Sequence, residues 1–180
     1  MKPQNLLKQR RSTVSTATSV FDSLDSVSLD FMLGQWKGFE IITGHPMEGL
    51  LEPSGWYGKL FIDTENVHPL LMNTLNKKGL YAINPFLIPL GRRLPKTKLL
   101  RLAMALLKPI LKTNNSKARM RMIKYRGKIT GTMVYDQKGI MDHFAKIDEN
   151  TMLGVMEMKG AKNPYFFVLE RDSKNKTIRV

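Results

Sequence analysis

Cysteine is absent from the 180 residues, which removes disulfides, thiolate metal sites, cysteine nucleophiles and thiol switches from consideration. It also agrees with a cytoplasmic location, where thiols stay reduced. Long apolar runs are missing: none approaches the ~20 residues that a membrane-spanning helix needs. The stretch from Ser12 to Ser19 is rich in Ser and Thr where a secretory signal would carry an apolar core. Histidines number three and lie far apart, so no metal site is expected. Nucleophile elbow, phosphate loop and dinucleotide fingerprint are all missing as well. Acidic residues are scarce, 15 Asp+Glu against 29 Lys+Arg, a net charge of +14. That excess favours anionic partners, with a merely solubilising basic surface as the competing reading.

What is present describes a globular chain, 42% hydrophobic and 24% charged, long enough for one well-filled core. Residues 1–17 read as a flexible basic, Ser/Thr-rich tail before a single domain over 18–180. Val20, Phe21, Leu24, Val27 and Phe31 recur at helical spacing and predict an N-terminal helix over 18–31. Strands are expected from Leu33 and over 55–63, followed by an irregular insertion, 64–116, that holds five prolines. Within it 96–112 reads as a basic amphipathic helix, ended or bent at Pro109. An ordinary core-packing helix, a lid on a barrel and a membrane-surface helix all fit that pattern. Beyond Lys117 short β-prone runs alternate with turns: 118–126, 128–135, 140–147, 152–159, 165–171 and 177–180. About eight antiparallel strands in meander order point to an up-and-down, lipocalin-like barrel, since closure removes the sheet edges.

Gly34-Gln35-Trp36-Lys37-Gly38 is a GxWxG motif at the first strand. An indole there plugs one end of the core while the glycines allow close backbone approach. Together with TGHPMEGLLEPSGWYGKLF from Thr43 to Phe61, it resembles the GXWXG protein family. The run GTMVYDQKGIMDHFAKIDENTMLGVMEMKG from Gly131 to Gly160, with YFFVLER from Tyr165 to Arg171, is similar to the C-terminal domain of unknown function that accompanies that segment. Gly139 and Ala145 stand where the family pattern has a proline and an arginine. The resemblance implies a lipocalin-like fold and brings no catalytic residues.

An inward Trp36 also places Glu40 inside by period-two alternation; a buried carboxylate then needs a cation, a hydrogen bond or a raised pKa. One bulge would reverse that parity. His45 falls in the turn closing the strand, as a mouth residue or a surface histidine. One of Trp56 and Tyr57 faces the interior. Asp142 and His143 point to opposite faces, and His143, sharing its face with Met141, Ala145 and Ile147, is the expected interior one. Tyr125, Tyr135, Glu157 and Tyr165 complete the candidate lining. Methionines such as Met120, Met133, Met152 and Met156 suit an adaptable apolar cavity, or plain gap filling.

The leading expectation is a barrel that holds a small hydrophobic or amphiphilic molecule, as carrier or sensor. Catalysis of isomerisation, cyclisation or hydration by a buried acid/base, Glu40 or His143, is the second reading. The third is contact with an anionic membrane or RNA through Arg92, Arg93, Lys96, Lys98, Arg101, Lys108 and Lys112; specific nucleic-acid recognition is not expected, because no aromatic RNA-binding motif interleaves with these charges. No cofactor is expected, haem being a narrower variant of carriage.

Overall fold

The computed structural model describes residues 1–88 and 98–173. Eight antiparallel strands close a barrel: β2 (Gly34–Ile41), β3 (Trp56–Phe61), β4 (Val67–Asn73), β6 (Ala118–Tyr125), β7 (Lys128–Tyr135), β8 (Ile140–Asp148), β9 (Thr151–Met158) and β10 (Tyr165–Arg171). Around the ring the order is β8-β7-β6-β4-β3-β2-β10-β9, and β9 pairs back onto β8. Two short strands lie off the ring, β1 (Asp25–Ser26) on β8 and β5 (Leu80–Ala82) on β4.

The expected number of strands is right, but one member differs. β4 lies inside the stretch expected to be an irregular insertion, and 177–180 lies outside the described residues. Pro69 disguises β4, since proline donates no ladder hydrogen bond. It is tolerated because Pro69 falls between two partners on that edge of β4, β6 at Val67 and β5 from Leu71 to Asn73.

The N-terminal helix is α2 (Val14–Ser23), shorter than expected, capped by the Thr13 side chain, which accepts from the Thr16 amide. After it come β1 and one further turn, α3 (Leu29–Met32), capped by Ser28. The basic leading segment is no flexible tail: α1 (Pro3–Gln9) buries Leu6 completely, and Arg11 bridges to Ile42. Ala17, Val20 and Phe21 of α2 join Leu6 against Phe39, Ile41, Ala145, Leu153, Val155 and Phe166. This second apolar layer covers the outside of β2, β10, β9 and β8, so those strands are buried on both faces. By contrast β6 alternates, with Ala118 and Met120 buried and Arg119 and Arg121 outside.

The lower end of the barrel is plugged by Trp36. Its Nε1 donates to the Met32 carbonyl at 2.7 Å, and the Arg171 guanidinium lies 4.2 Å from its ring centroid. Arg171 also donates to the carbonyls of Leu33 and Phe31, tying α3 across the opening. The upper end is roofed by α4 (Leu51–Ser54) and α5 (Lys98–Leu106). Pro109 sits in the first turn of the next helix, α6 (Lys108–Leu111), where its missing N–H costs nothing.

Candidate functional site

A cavity of about 100 Å³ lies beneath the roof. Met47, Leu50 and Leu51 come from the loop and α4, Leu100 and Met104 from α5, and Ile83 and Ile88 from the chain after β5. The walls are Trp56, Leu70, Met72, Tyr135, Ile140, Met156, Tyr165 and Phe167. Among the described residues that line it, the charged ones are Lys59 and Asp142, 2.8 Å apart and almost wholly buried.

Two irregularities bring Lys59 into this space. Strict alternation from an inward Trp56 would turn Lys59 outward, but the register of β3 against β4 shifts on both sides of Gly58. Gly58 is required there: a Cβ would lie 1.9 Å from the Trp36 carbonyl oxygen. Trp56 and Lys59 therefore both face inward, while Tyr57 packs outside with Leu71, Leu80 and Ala82 and donates its hydroxyl to Asp172. Gly38 supplies the matching space, since a Cβ on it would meet the Trp56 ring at 2.1 Å.

The ammonium of Lys59 is held three ways. It pairs with Oδ2 of Asp142, donates to the Pro69 carbonyl at 3.1 Å, and lies 5.0 Å from the Phe167 ring centroid. A buried ion pair recovers its desolvation cost only when such further partners exist. Asp142 is less completely served: its Oδ1 has no hydrogen-bond partner among the described residues, and neither has Nε1 of Trp56. One buried acceptor and one buried donor thus belong to cavity-lining residues without a protein partner, which native interiors rarely leave.

Tyr165 links the cavity to Glu40. Its hydroxyl donates to Glu40 Oε1 at 2.5 Å, and the Gly49 amide donates to the same oxygen at 3.0 Å. Burial raises the Glu40 carboxyl above its ordinary range, partly countered by these hydrogen bonds. Burial also pushes the Tyr165 and Tyr135 phenols well up, assisted by the carboxylates of Glu40 and Asp142 respectively. Glu40 itself stands behind Tyr165 rather than on the cavity wall. His45 packs edge-on against Tyr165 with ring centroids 5.4 Å apart.

The expected site residues thus divide. Trp56, Tyr135 and Tyr165 line the cavity, Glu40 and His45 back Tyr165, and Trp36 belongs to the plug at the other end. Tyr57, Tyr125, Glu157 and His143 lie outside the barrel. His143 is the clearest correction, because Asp142 and not His143 faces inward. His143 stacks on Tyr125 at 3.8 Å and bonds Thr132 Oγ1 at 2.9 Å, with Glu157 at 3.4 Å on the exposed side. The outer apolar layer makes both faces of β8 look equally buried, so hydrophobic alternation carries no parity there. Sequence reasoning did not single out Lys59, and it set Asp142 on the face opposite the interior because His143 shares its face with Met141, Ala145 and Ile147. The signal available was their charge complementarity on strands rich in apolar residues.

Of the basic residues expected at a surface, Arg92, Arg93, Lys96 and the Lys98 side chain lie outside the described residues. Arg101 is half-buried and donates to the carbonyls of Thr74 and Leu75. Lys108 lies over the Tyr81 ring, 4.7 Å from its centroid, and Lys112 is half-buried. Of the apolar residues in this basic amphipathic stretch, Leu99, Leu102, Leu106 and Leu107 are exposed, whereas Leu100 and Met104 turn inward.

Comparison with known proteins agrees with this architecture. Residues 19–77 match the family model described as GXWXG protein, and residues 116–171 match the domain of unknown function DUF4334. The two matched segments meet in one barrel, the first supplying β2 to β4 and the second β6 to β10. A crystal structure of a protein from Thermomonospora curvata is 28% identical and covers 94% of this chain and 95% of its own, with a TM-score of 0.70. No match is found among curated proteins. No described helix is long and apolar enough to cross a membrane.

Proposed function

The chain belongs to the GXWXG family, with the DUF4334 domain completing the same barrel, and on that footing we propose that it binds a small, mostly apolar molecule with one polar end. The observation that carries this reading is the pair of unpartnered buried groups, Asp142 Oδ1 and Trp56 Nε1, belonging to residues that line an otherwise apolar cavity. A guest with a hydroxyl or N–H to give and an oxygen to accept satisfies both, while Phe167, Met72 and Met156 cover its apolar part. Pockets of this composition, apolar with a few convergent polar groups, hold small ligands. A volume near 100 Å³ suits a guest about the size of a substituted phenol, close to the benzene-sized cavities known to stay dry when empty.

Native mass spectrometry of the purified protein, followed by extraction, tests occupancy. A titration followed by Trp56 fluorescence tests the chemistry. Phenol is expected to bind more tightly than toluene, and the paired substitution Lys59→Met with Asp142→Leu is expected to reverse that order while keeping the fold. No occupant and no binding of either probe would overturn the reading.

Proton transfer on the guest is the second reading, and the free oxygen of Asp142 favours it over the groups first expected. Glu40 is screened by Tyr165, and His143 is outside. Turnover of an extracted occupant that Asp142→Asn abolishes without loss of binding would support catalysis over carriage.

A further inference from the structure

We propose that the α5–α6 end of the barrel docks on the surface of an anionic lipid bilayer, with the outer leucines of α5 set into the headgroup boundary. Helix α5 has two apolar faces. Leu100 and Met104 turn one toward the cavity. Leu99, Leu102 and Leu106 turn the other to water, 71%, 51% and 73% exposed, and their spacing of three and four residues puts them on one stripe. Ile110 of α6 and Phe86 are exposed as well, 68% and 57%. The turn that carries Phe86 is held to α6 by the Asn84 amide, which donates to the Leu111 carbonyl at 2.8 Å. Monomeric proteins in water rarely present so many large aliphatic side chains together.

Charge says what covers the ridge. Between Glu65 and Asp136 the chain has no acidic residue and fifteen Lys and Arg; of these Arg119, Arg121 and Arg126 pair with Asp136, Glu65 and Asp22, while the described ones on α5, α6, the residue after it and the β4–β5 hairpin are Arg101, Lys108, Lys112, Lys77 and Lys78. Lys77 and Lys78 stand exposed at the tip of the β4–β5 hairpin. Arg101 ties that tip to α5 by donating to the carbonyls of Thr74 and Leu75. Aliphatic side chains on a helix beside fixed cations are the form taken by helices that lie in an anionic interface. A second copy of the chain would bring the same positive charge against this one. Nucleic acid would use the cations but has no use for a ridge of leucines.

Co-sedimentation with vesicles tests the proposal on the intact chain. Binding is expected to vesicles of phosphatidylcholine with a third phosphatidylglycerol, to weaken as salt rises, and to be far weaker with phosphatidylcholine alone. The double substitution L102E/L106E, at exposed positions that leave the core untouched, is expected to weaken binding at least about tenfold with an unchanged melting temperature. K77E/K78E is expected to weaken it less and to flatten the salt dependence. Absence of vesicle binding overturns the proposal, whether the chain then binds single-stranded RNA or forms a dimer that L102E/L106E dissolves. Equal binding by L102E/L106E overturns it too. The docking rests on the outer face of α5 and stands or falls apart from what the cavity holds.

Discussion

Gly38 and Trp56 occupy a shared volume: the glycine of β2 lacks a side chain where the indole of β3 lies, and a methyl group there would approach Cη2 to 2.1 Å. The ladder between these strands runs from Gly34–Phe61 to Lys37–Gly58 and stops. Trp56 then fills the wall where the pairing ends. The last glycine of GxWxG and the tryptophan of GWYGK are therefore one device on two strands.

Gly38→Ala is expected to cost about 1–3 kcal/mol by overpacking and to red-shift Trp56 emission as the ring is displaced. Combining it with Trp56→Leu should recover part of that loss, because the two positions are in contact and their effects are not additive. Denaturant unfolding of the four proteins checks both statements.

Lys59→Met leaves Asp142 buried without its cation, and removal of one partner of a buried pair costs about 3–5 kcal/mol. The paired replacement Lys59→Met with Asp142→Leu is expected to restore most of the stability, since a packed apolar pair of similar volume is often no worse than the ions. Thermal melts that show the double variant no more stable than the single one would contradict this account of the cavity floor.

Arg171→Lys keeps the positive charge but loses the planar face over Trp36 and the two-pronged donation to Leu33 and Phe31. A loss of about 1–2 kcal/mol is expected from these combined contacts. Hydrogen exchange should localise the loosening to α3 and the start of β2.

Acid should destabilise the fold before its carboxylates titrate. Burial lowers the pKa of His45, His68 and His143 below 6.5, so the unfolded chain binds more protons than the folded one as pH falls through that value. Stability then rises with pH across this window. Glu40 works in the opposite sense: its carboxyl is raised in the folded state, so its contribution is present below 4.5 and is lost as pH rises through the folded value. Unfolding midpoints measured from pH 4 to 8 should show the histidine slope reduced in His143→Gln and the lower branch altered in Glu40→Gln.

The barrel could be read from the sequence because its signals are local: short β-prone runs, turn residues between them, and GxWxG at the first strand. Glu40 follows from Trp36 by simple alternation, and the structure does set it on the inner side, behind Tyr165. Lys59 and His143 do not follow, for two separate physical reasons. A bulge at Gly58 reverses parity within a six-residue strand, and the outer face of β8 is itself covered, His143 by Tyr125 and Ala145 by the cluster that α2 joins, so that inside and outside look alike. Strand β4 was hidden by Pro69, which is tolerated because it falls between the β6 and β5 pairings on that edge. The leucine stripe of α5 marked the helix but left its orientation open, because amphipathic spacing does not say which of two apolar sides meets the protein.

Between β4 and β6 the wall of the cylinder is joined by a single pair, and β5 takes the rest of that edge of β4 at Leu71, Met72 and Asn73. Seven boundaries between staves are knit by ladders of several residues, and the eighth is fastened at Val67 and Ala118 with flanking amides from Lys117 and Met120. Amide deuteration should therefore spread outward from this join. On the proposed reading of a bound guest, a parting of β4 from β6 would open the side of the vessel and not its rim.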